Sequence, residues 1–264
     1  NNAVLTIVGN FDADDAAKLV HQYFDAIPAQ PAVPALALPA LPAARTRELV
    51  QEVTDNNAKT PAVLMGWRIP PALTPEHYAL ELATVILTDG DSSVLHDSLV
   101  RQHSWAQDVS AWTHDFQGPD LLAIMAVLTS DAPEAKVTAL IDRQLQRLAK
   151  EGPTAAELDK ARHRLESFLL FDLQSNLSQS TQLGEFEAIH GDARLLGRRL
   201  ESYFTVSREA VRDAVSRYLT PEARVRLLVR PVPSPSAPPP AAAPPRSKSS
   251  QPATTTQSTQ GAKP

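Results

Sequence analysis

The sequence contains no cysteine, which excludes disulfides, thiolate metal sites and cysteine nucleophiles while leaving the compartment open. Glycine is scarce: nine residues stand singly along 264 positions, and no G-x-x-x-x-G-K-[ST] or G-x-G-x-x-G loop is present to cradle a phosphate. Long apolar runs are missing as well. The most apolar stretch, residues 35–44, is cut by Pro39 and Pro42 and falls short of the roughly 18 residues that a membrane span needs. Basic residues are outnumbered. The net charge is −5, and because residues 231–264 hold Arg246, Lys248 and Lys263 but no acid, residues 1–230 carry −8, which argues against a nucleic-acid partner. The chain reads as soluble, and its opening at Asn1 on a strand-like segment without a signal-peptide layout reads as a piece of something longer.

What is present is a core. Hydrophobic residues make up 43% and charged residues 21%, the balance of a folded domain. Ala3 to Val8 forms an apolar run ended by Gly9. Asp12 then stands at an N-cap position, and Ala16, Leu19, Val20, Tyr23 and Phe24 repeat at helical spacing up to Pro28. One strand and one helix cannot make a core, so residues 1–27 are expected to be the end of a preceding lobe. Five prolines between Pro28 and Pro42 mark residues 28–45 as an extended linker. A second lobe, 46–230, opens with strands at Thr46–Val53 and Ala62–Ile69. A helix follows, capped by Thr74 with Pro75 in its first turn, and then a shorter one over Ser92–Arg101.

Ala106–Trp112 and Leu121–Thr129, separated by a turn with Gly118 and Pro119, are expected to pair as a hairpin. Val137, Leu140, Ile141, Leu145 and Leu148 define the next helix. A T-x-x-E capping box at Thr154 and Glu157 starts another, with Leu158, Ala161, Leu165 and Phe168 facing inward. Helices over Ser178–His190, Ala193–Phe204 and Arg208–Leu219, the last capped by Ser207, precede a closing strand through Val225, Leu227 and Val229. Paired strands and grouped helices, in the order β-β-α-α-β-β-α-α-α-α-α-β, indicate an α+β fold with a mainly antiparallel sheet and helices packed on one face. Ten prolines among residues 231–264 leave that tail without the apolar surface to offset ordering, so it is expected to be disordered.

Catalytic sets are incomplete. The seven histidines are 21, 77, 96, 103, 114, 163 and 190. His163-Arg164-Leu165-Glu166-Ser167 begins like the inverted zinc motif H-x-x-E-H but ends in Ser167 where the second imidazole belongs. His163 and Glu166 are therefore read as a solvated helix face, and His77 with Glu81, four apart, likewise as a surface pair. Gly90-Asp91-Ser92-Ser93 lacks the G-x-S-x-G elbow, and Asp91 and Ser92 read as the cap of the next helix. Trp67, Trp105 and Trp112 lie on or beside strands, where core packing is the default and a peptide-facing role the alternative. No catalytic, cofactor-binding or metal residue is assigned.

Several patterns together resemble the carboxy-terminal half of the insulinase/pitrilysin family of zinc metallopeptidases, in its mitochondrial-processing-peptidase-like branch. Asn2 to Asp12 (NAVLTIVGNFD) and Tyr23-Phe24 before Ile27-Pro28 look like the end of its first domain. Met65 to Pro70 (MGWRIP), Gly90 to Leu95 (GDSSVL) running into Leu99-Val100-Arg101, Gly152-Pro153-Thr154 with Glu157-Leu158 and Ala161, and Val206-Ser207, Val211 and Tyr218 to Pro221 look like successive parts of its second. The resemblance implies a metallopeptidase-like lobe without its own zinc, the metal belonging to a missing or partner lobe. It also implies unfolded peptide as substrate, held partly by strand addition to a sheet edge. The arginine and the tyrosine seven residues later with which relatives grip substrate correspond to Val100 and Gln107, which do not match. A catalytically inactive scaffold or assembly subunit of the same fold, like the respiratory-complex core proteins of the family, is the alternative. The Ala/Pro-rich composition suits a periplasmic or cell-envelope protein and leaves a cytoplasmic one open.

Overall fold

The computed structural model describes residues 3–31, 41–114, 116 and 118–232; residues 32–40 of the predicted linker and the tail beyond Val232 lie outside the described residues. A five-stranded sheet is built from β1 (Leu49–Asp55), β2 (Ala62–Ile69), β3 (Ala106–Trp112), β4 (Asp120–Leu128) and β5 (Val225–Pro231), in the order β1-β5-β2-β4-β3. Only the β1–β5 pairing is parallel; β2–β5, β2–β4 and β3–β4 are antiparallel. The α+β expectation therefore holds. The closing strand inserts between β1 and β2 rather than at an edge, and it runs on to Pro231, opposite Asp55.

Side chains alternate across this sheet, as a period of two requires. Val63, Met65, Trp67 and Ile69 of β2 are buried beneath the helices with Leu122, Ile124, Ala126 and Leu128 of β4. Leu64, Met125 and Leu227, which share a register row on the opposite face, are half-buried. The covering layer consists of α2 (Pro75–Thr88), α3 (Glu134–Glu151), α4 (Ala155–Asp172), α6 (Leu195–Thr205) and α7 (Arg208–Tyr218), with α5 (Asn176–Glu185) joining α4 to the α6 region. Trp67 ties the layers together, its indole N–H donating to the Thr220 carbonyl at 2.9 Å. Arg224 ties sheet to helix through Glu48 and Asp142.

Local signals behave as their chemistry dictates. Thr74 Oγ1 accepts from the His77 amide, with Pro75 at the first helical position of α2. At α4 the capping box forms in full: Thr154 Oγ1 accepts from Glu157 N, and Glu157 accepts from Thr154 N at 2.7 Å. Gly152, at φ +71°, ends α3 where an added Cβ would come within 3.2 Å of the Arg208 carbonyl, so both conformation and space favour glycine.

Four expectations need correction. Ala3 to Val8 forms no strand, because among the described residues no neighbouring strand offers it a ladder. The helix after it, α1 (Ala13–Phe24), forms with Asp12 as N-cap but buries none of its apolar stripe, and Leu19, Tyr23 and Phe24 are all exposed. The segment predicted over 92–101 has only Val94 and Leu95 in α-helical form and continues as a π-helical stretch, His96–Gln102, without a side-chain cap. Ser92 instead accepts from Lys160 at 2.6 Å. Finally, Phe168 faces solvent rather than the core, while Leu169 takes the buried position.

Candidate functional site

Strand order makes β1 and β3 the two edges of the sheet, and β3 pairs on one side only, with β4. Its last residues Ala111 and Trp112, with Thr113, form one wall of a groove of about 580 Å³. The second wall is the α2 face carrying Glu81, Thr84, Val85 and Thr88, and the third is the α4 face carrying Arg164, Leu165, Ser167, Phe168 and Phe171. Phe168 and Phe171 remain 66% and 69% exposed, a large apolar area to leave in water. The sequence carries a sign of this. Phe168-Leu169-Leu170-Phe171 is a run of four bulky apolar residues, and since one helical face holds no more than two of four consecutive positions, the others must point away from the core.

Under the groove lies a buried polar cluster, although sequence spacing alone put its first two members on the surface. His77 is 1% exposed and Glu81 8%. His77 Nε2 donates to Asp120 Oδ2 at 2.8 Å, and Nδ1 stands 3.4 Å from Glu81 Oε2. Glu81 also accepts from Arg199 at 3.0 Å and from the Tyr203 hydroxyl at 2.7 Å; Asp120 accepts from the backbone of His114 and Leu121. Burial disfavours a charged imidazole, but the Glu81 and Asp120 carboxylates outweigh it and raise the His77 pKa to about 9. Burial likewise works against the Glu81 carboxylate, and His77, Arg199 and Tyr203 together reverse that and lower its pKa. For Tyr203, burial and the neighbouring Glu81 charge both push the phenol well above its ordinary value. The i, i+4 spacing of His77 and Glu81 is visible in the sequence, but Asp120 and Arg199 come from distant segments, so nothing linear marks the cluster.

The remaining candidates scatter. His163 and Glu166 pair at 3.1 Å on the exposed side of α4, as expected, with Ser167 turned toward the groove. Val100 packs against the core, and Gln107 occupies a β-bulge with its amide donating to the Leu128 carbonyl at 3.1 Å, so both positions serve the fold. Trp67 is a core residue; Trp105 is half-buried, stacked on His103 at 4.1 Å; Trp112 lines the groove. Among the described residues no three His, Asp or Glu side chains converge to hold a metal ion. The donor set does not fit zinc, because His163 has Ser167 where a second imidazole would stand and the Nε2 of His77 is held by Asp120.

A separate apolar surface belongs to residues 4–27. Val4, Leu5, Ile7, Phe11, Leu19, Tyr23, Phe24 and Ile27 are all exposed, and none joins the core.

The model of the peptidase M16 inactive domain matches residues 1–165. This chain belongs to the peptidase M16 family. The M16 match takes in the exposed apolar segment and extends through β1–β4 into α4. Among solved structures, a protease from Helicobacter pylori superposes with a TM-score of 0.74 at 17% identity, over 85% of this chain and 54% of that one. The inactive peptidase domain of a candidate zinc protease from Bordetella parapertussis matches at TM-score 0.61 and 26% identity, over 68% of this chain and 95% of that one. The periplasmic protease PqqL from Escherichia coli matches at 0.62 and 17%, over 85% of this chain and 25% of that one. This M16 chain thus spans about half of the Helicobacter protease. No curated protein matches it.

Proposed function

We propose that this chain is the non-catalytic lobe of an M16 zinc metalloendopeptidase of the insulinase/pitrilysin type and that it closes with a zinc-bearing lobe, in cis or in trans, around unfolded peptide. The observation that carries the reading is the one-sided edge strand β3 beside an apolar groove. Such an edge offers main-chain hydrogen bonds to any extended chain, while the groove takes side chains. Residues 1–27 are then the end of the preceding lobe, 28–45 the linker and 46–230 the substrate-chamber lobe. In this reading the zinc-bearing lobe covers the apolar surface of residues 4–27, which the core of this chain does not use.

The zinc ion belongs to the partner lobe and would supply a polarised water for hydrolysis there. The residues of this chain bind and confine the peptide. A periplasmic or envelope location is supported by the PqqL likeness and by the composition. A scaffold role without proteolysis is favoured by one observation: Val100 and Gln107 are engaged in packing and a β-bulge, not offered to substrate. Mixing the chain with a zinc-bearing M16 lobe and an unfolded peptide separates the two readings. Cleavage that needs both lobes supports the peptidase, whereas a stable complex that cleaves nothing supports the scaffold.

A further inference from the structure

The groove beside β3 has a chemistry of its own. Each charged side chain in its walls is already neutralised. Glu81 is bound by Arg199 and Tyr203, and Asp89 by Arg164 through contacts of 2.6 and 3.0 Å. Thr84 and Thr88 spend their hydroxyl hydrogens on the carbonyls of Glu81 and Thr84 within α2. The other polar lining residues, Thr113 and Ser167, are uncharged. What remains open to a ligand is mainly Val85, Trp112, Leu165, Phe168 and Phe171. A charged side chain entering this space would lose water and meet no free counter-charge, whereas an apolar one would cover the two exposed phenylalanines. A helix could also cover those rings but would leave the β3 edge unpaired, so an extended chain satisfies both features at once.

We propose that this groove selects extended peptides carrying a bulky apolar residue, aromatic or branched aliphatic, seated among Trp112, Phe168 and Phe171 while the peptide backbone lies along β3. The proposal rests on the enclosure reading above and adds the class of side chain that the lobe prefers. It makes Phe168 and Phe171 specificity residues rather than parts of the fold.

The test uses the 264-residue chain and labelled peptides of about ten Ser, Thr and Gly residues with one central Phe, Leu, Ala or Glu, followed by fluorescence anisotropy. The Phe and Leu peptides bind about tenfold tighter than the Ala and Glu peptides. The double variant Phe168→Ser/Phe171→Ser loses that preference while keeping the thermal melt of the parent, since both side chains are exposed. Phe168→Leu retains part of the preference. Equal affinity for the Phe and Glu peptides overturns the proposal, as does a preference that survives the double variant. If the peptides bind alike and the chain still supports proteolysis with a zinc-bearing lobe, only the selectivity fails. If no peptide binds and no proteolysis appears, the enclosure reading fails with it. A dimer in sedimentation that the double variant dissolves, without any peptide preference, assigns the groove to a second copy of the chain and likewise overturns the proposal.

Discussion

Removing the imidazole of His77 would leave the buried Asp120 carboxylate without its cationic partner, while Glu81 keeps Arg199 and Tyr203. The His77→Ala variant is therefore expected to lose about 3–5 kcal/mol of unfolding free energy, measured by urea titration, because an uncompensated buried charge costs far more than a surface contact. The pH dependence has a definite sign. With its pKa raised from 6.5 to about 9, protonated His77 stabilises the fold fully below pH 6.5, and the contribution is lost as pH rises through 9. Unfolding free energy should fall across that interval by a few kcal/mol at most, since between the two pKa values each step of one pH unit removes about 1.4 kcal/mol. In His77→Gln this slope should be absent. A flat profile for the parent chain would show that the imidazole is not charged in the native state.

Elements respond to their ends. Thr154→Ala removes one half of the α4 capping box and should cost about 1 kcal/mol in equilibrium unfolding, leaving the groove residues of α4 in place but less firmly held. Most elements are legible in the sequence because local chemistry specifies them. β2 and β3 fall on their predicted bounds, and Thr74, Thr154 and Ser207 cap the helices they are expected to cap. Where sequence and structure part, the deciding partner is distant or lacking. Ala3 to Val8 has strand composition but no strand beside it, and the α1 stripe has helical period but no surface to pack on. Periodicity alone points Phe168 inward, while Leu169, one position on, is the residue that α4 buries. The groove brings together α2, β3 and α4, segments separated by tens of residues, and only the folded chain shows that they share a space.

At the scale of the molecule, the division between a dense core and an unused apolar surface is the main observation. Residues 63–219 supply the core cluster, and the exposed side chains from Val4 to Ile27 contribute nothing to it. Leu19→Lys with Phe24→Lys should therefore leave the melting temperature nearly unchanged, within the range of ordinary surface substitutions. The same pair should abolish association with a zinc-bearing M16 lobe in analytical ultracentrifugation, because two charges would be placed in an interface core. Loss of thermal stability instead would mean that the segment belongs to the fold of this lobe. The most direct measurement is cleavage of an unfolded fluorogenic peptide by the chain alone, by a zinc-bearing lobe alone and by the two together, each with and without chelator. Hydrolysis should be much faster in the mixture than with either lobe and should be abolished by the chelator; chelator-resistant hydrolysis by the 264-residue chain alone would rule out a non-catalytic lobe.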